Sequence, residues 1–386
     1  MTPLYLLEPA APGIAWAPFT GVRPVAELRA GLWRIRERWE RALGQAAAGI
    51  IGAHTEGFHE ADEPPCTAPA PITGPAVVVS SAFAPAIGAI PLGPDARRLV
   101  HGNTVVGWIV PAGEPFDPAH TRGRELPIEG VPLPGAYALL DALDRLLADD
   151  CAVFRGRGAA PDGALVLGDP SDVVARGATV EPGVVFDVRP GPVVVEAGAE
   201  VRSGTRLEGP TFVGAGTRVL GGYVRASVFG PECRVRGEIA ASVFLGYGNK
   251  AHDGFVGNSV VGRWVNLGAG TTTSNLKNTY GRVRLDVAGE RIETGRLNVG
   301  TLFGDHAKTA IGTLLPTGTV VSVGANLFGG TVPKYVPPFA WGLGADRMTE
   351  EGFLRIAERV LARRDVAWTE SRRESLRRTY RRSARP

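Results

Sequence analysis

Cysteine occurs only three times in the 386 residues, as Cys66, Cys151 and Cys233. The three stand more than 80 residues apart with no CxxC pair, which argues against a zinc knuckle and against a disulfide framework, and fits a reducing cytoplasm. No apolar run reaches the 18 or so residues of a membrane span. The opening MTPLYLLEPAAPG lacks the basic start and long apolar stretch of a leader, so a soluble, intracellular protein without membrane contact is expected. Charge of one sign is also lacking. The net charge is +3, and the last 38 residues hold 11 arginines and 6 acids, so the body is close to neutral and offers no broad basic face for nucleic acid. Lysine is scarce, 4 against 38 arginines, and all four fall between Lys250 and Lys334. Histidine is scarce too: only His252 and His306 of the six lie in the repetitive region described next, one short of a three-histidine zinc hydrolase site, so no metal site is expected there.

Glycine (52) and proline (31) are abundant, which excludes a fold dominated by long helices. Residues 1–165 read as an α/β domain. A strand is expected over 3–7, an amphipathic helix over 25–43 from the spacing of Leu28, Leu32, Ile35 and Trp39, and buried strands over 76–80 and 105–110. A helix is expected over 136–148, and the segment 54–74, rich in proline and acids, reads as an irregular loop.

From residue 166 aliphatic residues recur every six positions. Val174, Val180 and Phe186 hold the spacing, as do Val195, Val201, Leu207, Val213 and Val219, and pairs such as Val256-Gly257 and Leu267-Gly268 resume it. Neither a 3.6-residue helix nor a hairpin meander has this period; a hexapeptide parallel β-helix does. Each unit gives one short strand with an inward aliphatic and a corner that glycine eases, and three units make a coil. Residues 280–295 read as a hairpin turning at Ala288-Gly289 and projecting from a corner of the prism. Pro333 to Pro338 should end the coils at about residue 338, since proline cannot join the ladder. Residues 339–386 then form a basic helical tail, begun by an amphipathic helix carrying Phe353, Ile356, Val360 and Leu361.

One stretch is more specific. His252, Phe255-Val256-Gly257, Asn266-Leu267-Gly268-Ala269-Gly270 and Asn275 follow one another at separations that resemble the acetyltransferase half of the bifunctional N-acetylglucosamine-1-phosphate uridyltransferase/glucosamine-1-phosphate acetyltransferase family. Phe255 and Leu276 stand where that family usually has tyrosine. The resemblance implies that His252 is the general base for acyl transfer from acetyl-CoA to an amino-sugar phosphate. It implies that Asn266 and Asn275 hold the acceptor or acyl group, that Ala269 and Thr313 border the coenzyme, and that the coils are left-handed and assemble as a homotrimer. The alternative for His252 is a corner histidine bonded to backbone. Lys250 and Lys277 would meet the sugar phosphate and Lys308 the coenzyme, because a compact ammonium suits a phosphate; ordinary solvated lysines are the alternative. His306 is either a second polar wall of the site or a capping residue.

Over the whole chain apart from the tail, the sequence is similar to a branch of this family in which a sugar nucleotidyltransferase domain precedes hexapeptide coils. Phe19-Thr20, Arg23 to Arg29, Gly31, residues 35–39, and the later GlyAsnLysAlaHisAspGlyPhe and GlyAspHisAlaLysThrAlaIleGlyThr carry that similarity. It implies a Rossmann-like first domain in which a sugar-1-phosphate attacks a nucleoside triphosphate with Mg2+. The Gly-rich GlyXGlyThrArg loop and the downstream Pro-Lys are absent from this half, so phosphate neutralisation would fall to arginines such as Arg23 or Arg29. Otherwise Arg23 and Glu27 pair and cap the helix. The rival to an enzyme is a non-catalytic sugar-phosphate-binding or assembly scaffold that retains both folds.

Overall fold

The computed structural model describes all residues except Met1, Ala11, Ala61, Asp62, His120 and 384–386. The first domain is built on a seven-stranded sheet. Its strands are β1 (Leu4–Leu7), β2 (Ala47–Ile51), β3 (Cys66–Thr67), β4 (Ala76–Ser80), β5 (Ala96–His101), β6 (Thr104–Val110) and β7 (Arg124–Pro127), in the order β7-β5-β6-β4-β1-β2-β3. The centre, β4-β1-β2, is parallel, while β6 runs antiparallel to both its neighbours. Parallel strands covered on both faces read as unbroken apolar runs, which is why AlaValValVal of β4 is wholly buried. The chain leaves β1 toward β2 and returns to β4 on the other side, so β1 is the switch point of the sheet.

Only part of the helix expected over 25–43 forms. Val25–Glu27 is one 3-10 turn, Arg29–Ala30 and Trp33–Arg34 make a small hairpin, and α1 covers Ile35–Leu43. Gly31 breaks the run: it sits in the left-handed region at φ +65, and an added Cβ would stand 2.3 Å from Asp150 Oδ2. The apolar spacing is still used, since Leu28, Leu32, Ile35 and Trp39 are all buried. The second helix, α2, spans Ala138–Ala152 and places Asp150 in a buried ion pair with Arg38.

Beyond residue 165 the chain forms a parallel solenoid of the left-handed hexapeptide type. One face is a nine-stranded parallel sheet running from Val173–Val174 to Tyr335–Val336. Its strands are two or three residues long, so neighbouring residues point to opposite sides. Val195, Val213, Phe229, Phe244, Val261, Phe303, Val321 and Val336 stack in register inside the prism. The residue before each of them forms a second ladder outside, through Val194, Phe212, Val228, Val243, Val260, Leu302 and Val320. This outer row is buried in one continuous core with Leu139, Leu143 and the rest of the first domain. The first domain thus docks on that face by an apolar stripe.

The last strand of this face, Tyr335–Val336, lies inside the proline-rich segment and pairs with the strand below it. Prolines are tolerated there because the ladder bonds to the coil below fall on Lys334 and Val336, which accept from Val320 N and Ser322 N, so Pro333 and Pro337 on either side of them are not needed as donors, and this strand is the last of its sheet. The hairpin, Arg284–Val287 with Glu290–Glu293, turns at Ala288-Gly289 as expected but does not project freely. Val283, Leu285 and Val287 are buried, and Arg296 at its base is paired to Asp141 and Asp144 of α2. The tail is two helices, α3 (Glu350–Ala362) and α4 (Glu370–Ser383), folded against each other. Thr349 caps α3 by accepting Gly352 N at 3.1 Å, and Arg377 and Arg381 of α4 reach back to Glu350.

Candidate functional site

The predicted residues fall on different parts of the prism. His252 stands at a corner, exposed, and its imidazole makes no hydrogen bond among the described residues. The corner itself is tightly specified. Gly254 adopts φ +128, and an added Cβ would lie 2.3 Å from Thr271 O. Lys250 runs beneath, buried, with its ammonium on the carbonyls of Arg236 (2.9 Å) and His252. Burial pushes that ammonium down to about 8. Lys250 therefore holds the corner from inside.

Successive coils stack on this edge. Gly270 N donates to Asp253 O at 2.9 Å and Gly312 N to Ala269 O at 2.7 Å, so the turns that carry His252, Ala269 and Thr313 stack on successive coils of this edge. Thr313 is buried, with Oγ1 on Ala310 O at 2.8 Å. Ile311 and Leu314, on either side of it, are 82% and 68% exposed. Past the corner, the ring of Phe255 and the amide of Asn275 meet above Gly257, where an added Cβ would be 2.4 Å from Phe255 Cζ and 2.8 Å from Asn275 Nδ2. Asn275 donates to Asn258 Oδ1 at 2.7 Å. His252, Ala269, Thr313, Phe255 and Asn275 therefore share one edge and the adjoining face. Lys277 lies farther along, at the foot of the hairpin, bonded to Arg282 O at 2.5 Å.

Asn266 belongs to the other adjoining face. It is exposed, accepts from Asn249 Nδ2 at 2.8 Å, and pairs in register with Lys308 of the next coil. Both line a cleft of about 290 Å³ closed on its far side by Arg363 and Arg364 at the end of α3. Burial pushes Lys308 down to about 8, and its ammonium donates to His306 O at 2.8 Å.

His306, Arg23 and Arg29 are internal and lie apart from His252. His306 is buried at the corner that meets the first domain, stacked on Trp264 with centroids 6.2 Å apart and edge-on to Phe353 at 5.5 Å. Burial, helped by Lys308, holds its imidazole well below the usual histidine range, and Nδ1 has no partner. Arg23 neither pairs with Glu27 nor faces an open phosphate site. It donates to Asp305 Oδ2 at 3.0 and 2.8 Å and to the two oxygens of Glu60 at 2.7 and 2.8 Å. Glu27 pairs instead with Arg34 and Arg36. Arg29 is held by Leu32 O at 2.5 Å, and burial lowers its pKa.

Sequence reasoning missed the network that joins the domains. Arg263 Nη1 donates to Glu60 Oε2 at 2.7 Å, and Arg263 N donates to Asp305 Oδ1 at 2.9 Å. Burial acts to raise the Glu60 carboxyl, but Arg23 and Arg263 overcome it and hold it at about 2. Asp305 beside His306 in GlyAspHis was visible in the sequence; its partners Arg23 and Arg263, 282 and 42 positions away, were not.

Among the described residues, no group of three or more His, Cys, Asp or Glu is arranged to hold a metal ion, and no helix is long and apolar enough to cross a membrane. Residues 10–150 match the family model described as sugar nucleotidyl transferase. The chain is 34% identical over 146 residues to a bifunctional sugar-1-phosphate nucleotidylyltransferase/acetyltransferase of Sulfurisphaera tokodaii, covering 37% of this chain and 36% of that protein. It is 33% identical over 89 residues to the bifunctional protein GlmU of Methanocaldococcus jannaschii, covering 23% and 21%. It is 29% identical over 177 residues to the bifunctional protein GlmU of a Jannaschia species, covering 44% and 34%. The matches thus span about a third or less of the length of these curated relatives. A first domain that matches a sugar nucleotidyl transferase model, joined to a left-handed solenoid, is thus similar in part to these bifunctional GlmU-like proteins.

Proposed function

We propose that the chain is a transferase of sugar-nucleotide biosynthesis whose solenoid moves an acetyl group from acetyl-CoA to an amino-sugar phosphate. The exposed, unpartnered imidazole of His252, on the same prism edge as Ala269 and Thr313, carries this reading. The sugar amine attacks the thioester carbonyl, the amine proton passes to His252, the C–S bond breaks, and His252 hands that proton to the sulfur so that coenzyme A leaves as the thiol. Asn275 and Phe255 border the acceptor, and Asn266 with Lys308 lines the neighbouring cleft for the phosphate-bearing part of a substrate. The exposed Ile311 and Leu314 beside the edge support a homotrimer in which another copy completes the site. Three buried, unpaired cysteines support a reducing cytoplasm. The first domain, on this reading, transfers a nucleotidyl group to a sugar-1-phosphate. Its described residues offer no cage for Mg2+, so the ion would arrive on the triphosphate.

The test is release of coenzyme A thiol with acetyl-CoA and glucosamine-1-phosphate. His252→Ala should lower kcat by about 10²- to 10⁴-fold, the range of a general base, with the melting temperature unchanged because the ring is exposed. Undiminished kcat would overturn the assignment. A second reading, a scaffold without catalysis, is favoured by the use of Arg23 and Arg29 in internal contacts. Wild-type protein that acetylates no amino or hydroxy sugar would uphold it.

A further inference from the structure

In an open α/β sheet a ligand binds outside the carboxyl ends of the strands, at the switch point. Here that point is the end of β1, and it is filled. The next residue, Glu8, is buried, and its carboxylate accepts Val25 N at 2.6 Å, Ala26 N at 3.0 Å and a contact from His54 Nε2 at 3.1 Å. A carboxylate at the end of β1 opposes a triphosphate. Arg23, the cation of the same segment, is occupied by Glu60 and Asp305.

The outer side is covered by α4. The loops that follow β1 and β2 touch it directly: Ser375 Oγ accepts His59 N at 3.0 Å, Arg382 donates to Glu56 O, Gly21 lies against Arg382, and Gly57 against Arg378. The bonds that join these loops to α4 are polar, and the apolar contact in this seam is Val22, in the cluster against which Leu376 and Tyr380 pack. The rest of that cluster belongs to the solenoid and the tail, with the ring of Tyr380 tilted against Phe339 at 4.4 Å and its hydroxyl bonded to Met348 O at 2.8 Å. A cavity of about 60 Å³ remains between α4, Phe58 and Trp264, so the seam is not fully packed. Elements held by few apolar contacts are those that open at low cost.

We propose that α4 is a lid, closed here over the loops at the carboxyl end of the first domain's sheet, and that the nucleotide crevice opens when the helix leaves those loops. The inference rests on the reading of the first domain as a nucleotidyl transferase and adds its regulation. If the open form is populated at about 1%, apparent affinity falls by about 100-fold relative to an open protein.

The test uses the full chain throughout. Arg378→Glu with Arg382→Glu loosens the lid, whereas His59→Cys with Ser375→Cys, oxidised, locks it. Binding of UTP and of ATP, each with Mg2+, is measured by calorimetry, and amide exchange is followed in residues 19–24 and 54–60. The loosened variant should bind one of the two nucleotides about 10- to 100-fold more tightly and exchange faster in both loops. The locked variant should lose binding and regain the wild-type value on reduction. Exchange that does not respond to loosening refutes the lid, as does weaker binding by the loosened variant, which would make the α4 arginines ligands instead. Faster exchange with no binding of either nucleotide by any variant keeps the lid and overturns the nucleotide reading of the domain.

Discussion

Asp305→Ala isolates the contact by which the solenoid holds the first domain electrostatically. The Arg23 side chain is 2% exposed and that of Asp305 7%, so neither is well solvated. Removing the carboxylate deletes two charge-assisted bonds from Arg23 and one from Arg263 N, and leaves two buried guanidinium groups facing Glu60 alone. Breaking one side of a buried pair costs about 3–5 kcal/mol. Because Glu60 remains, the lower end applies, about 3 kcal/mol, or roughly a hundredfold in the folding equilibrium. Urea unfolding followed by tryptophan fluorescence and by far-ultraviolet circular dichroism reads it. The double variant Arg23→Met/Asp305→Leu should recover most of the loss, since an apolar pair of similar volume often replaces a buried ion pair without penalty. A loss below about 1 kcal/mol for Asp305→Ala, the value of a surface pair, would refute the reasoning.

Two further outcomes follow from the same structure. Glu60 and Glu37 are both held at about 2 in the folded protein against burial, Glu60 by Arg23 and Arg263 and Glu37 by Arg29 and Arg34. Their folded pKa values are depressed, so the stability they add is present above pH about 4.5 and is lost as pH falls toward 2. The loss is on the order of 3 kcal/mol for each, and a urea midpoint that stays level between pH 4.5 and 3 would contradict it. Gly254→Ala forces a side chain into a φ of +128 and against Thr271 O at 2.3 Å, so it should cost at least about 2 kcal/mol and displace the neighbouring His252. An unchanged melting temperature together with undiminished acetyl transfer would show that the corner does not need glycine.

The six-residue period was legible because each inward residue of a coil stacks on its counterpart in the next, and that constraint repeats locally along the chain. Val195, Val213, Phe229 and Phe244 show it directly. The outer row of Val194, Phe212, Val228 and Val243 carries no comparable signal, because an outward aliphatic has meaning only once a partner surface exists. Leu28, Leu32, Ile35 and Trp39 illustrate the opposite error. Burial on one side is a condition that a hairpin followed by a short helix satisfies as well as a single long helix, and the left-handed backbone at Gly31 selected the former.

For the candidate site, local spacing placed His252, Phe255 and Asn275 near one another, since a motif spanning little more than one coil keeps its members close. It could not separate Lys250, turned inward beneath the corner, from an exposed lysine, nor tell that His306 lies at a different corner from His252. Composition and period by themselves determined a stacked prism with an α/β domain before it, because the inward ladders and glycine corners that build it recur within short stretches of chain. The tertiary structure alone decided that Arg23, Glu60, Arg263 and Asp305 would become one buried network and that α4 would lie across the first domain. Charges far apart in sequence become partners only when docking removes water between them.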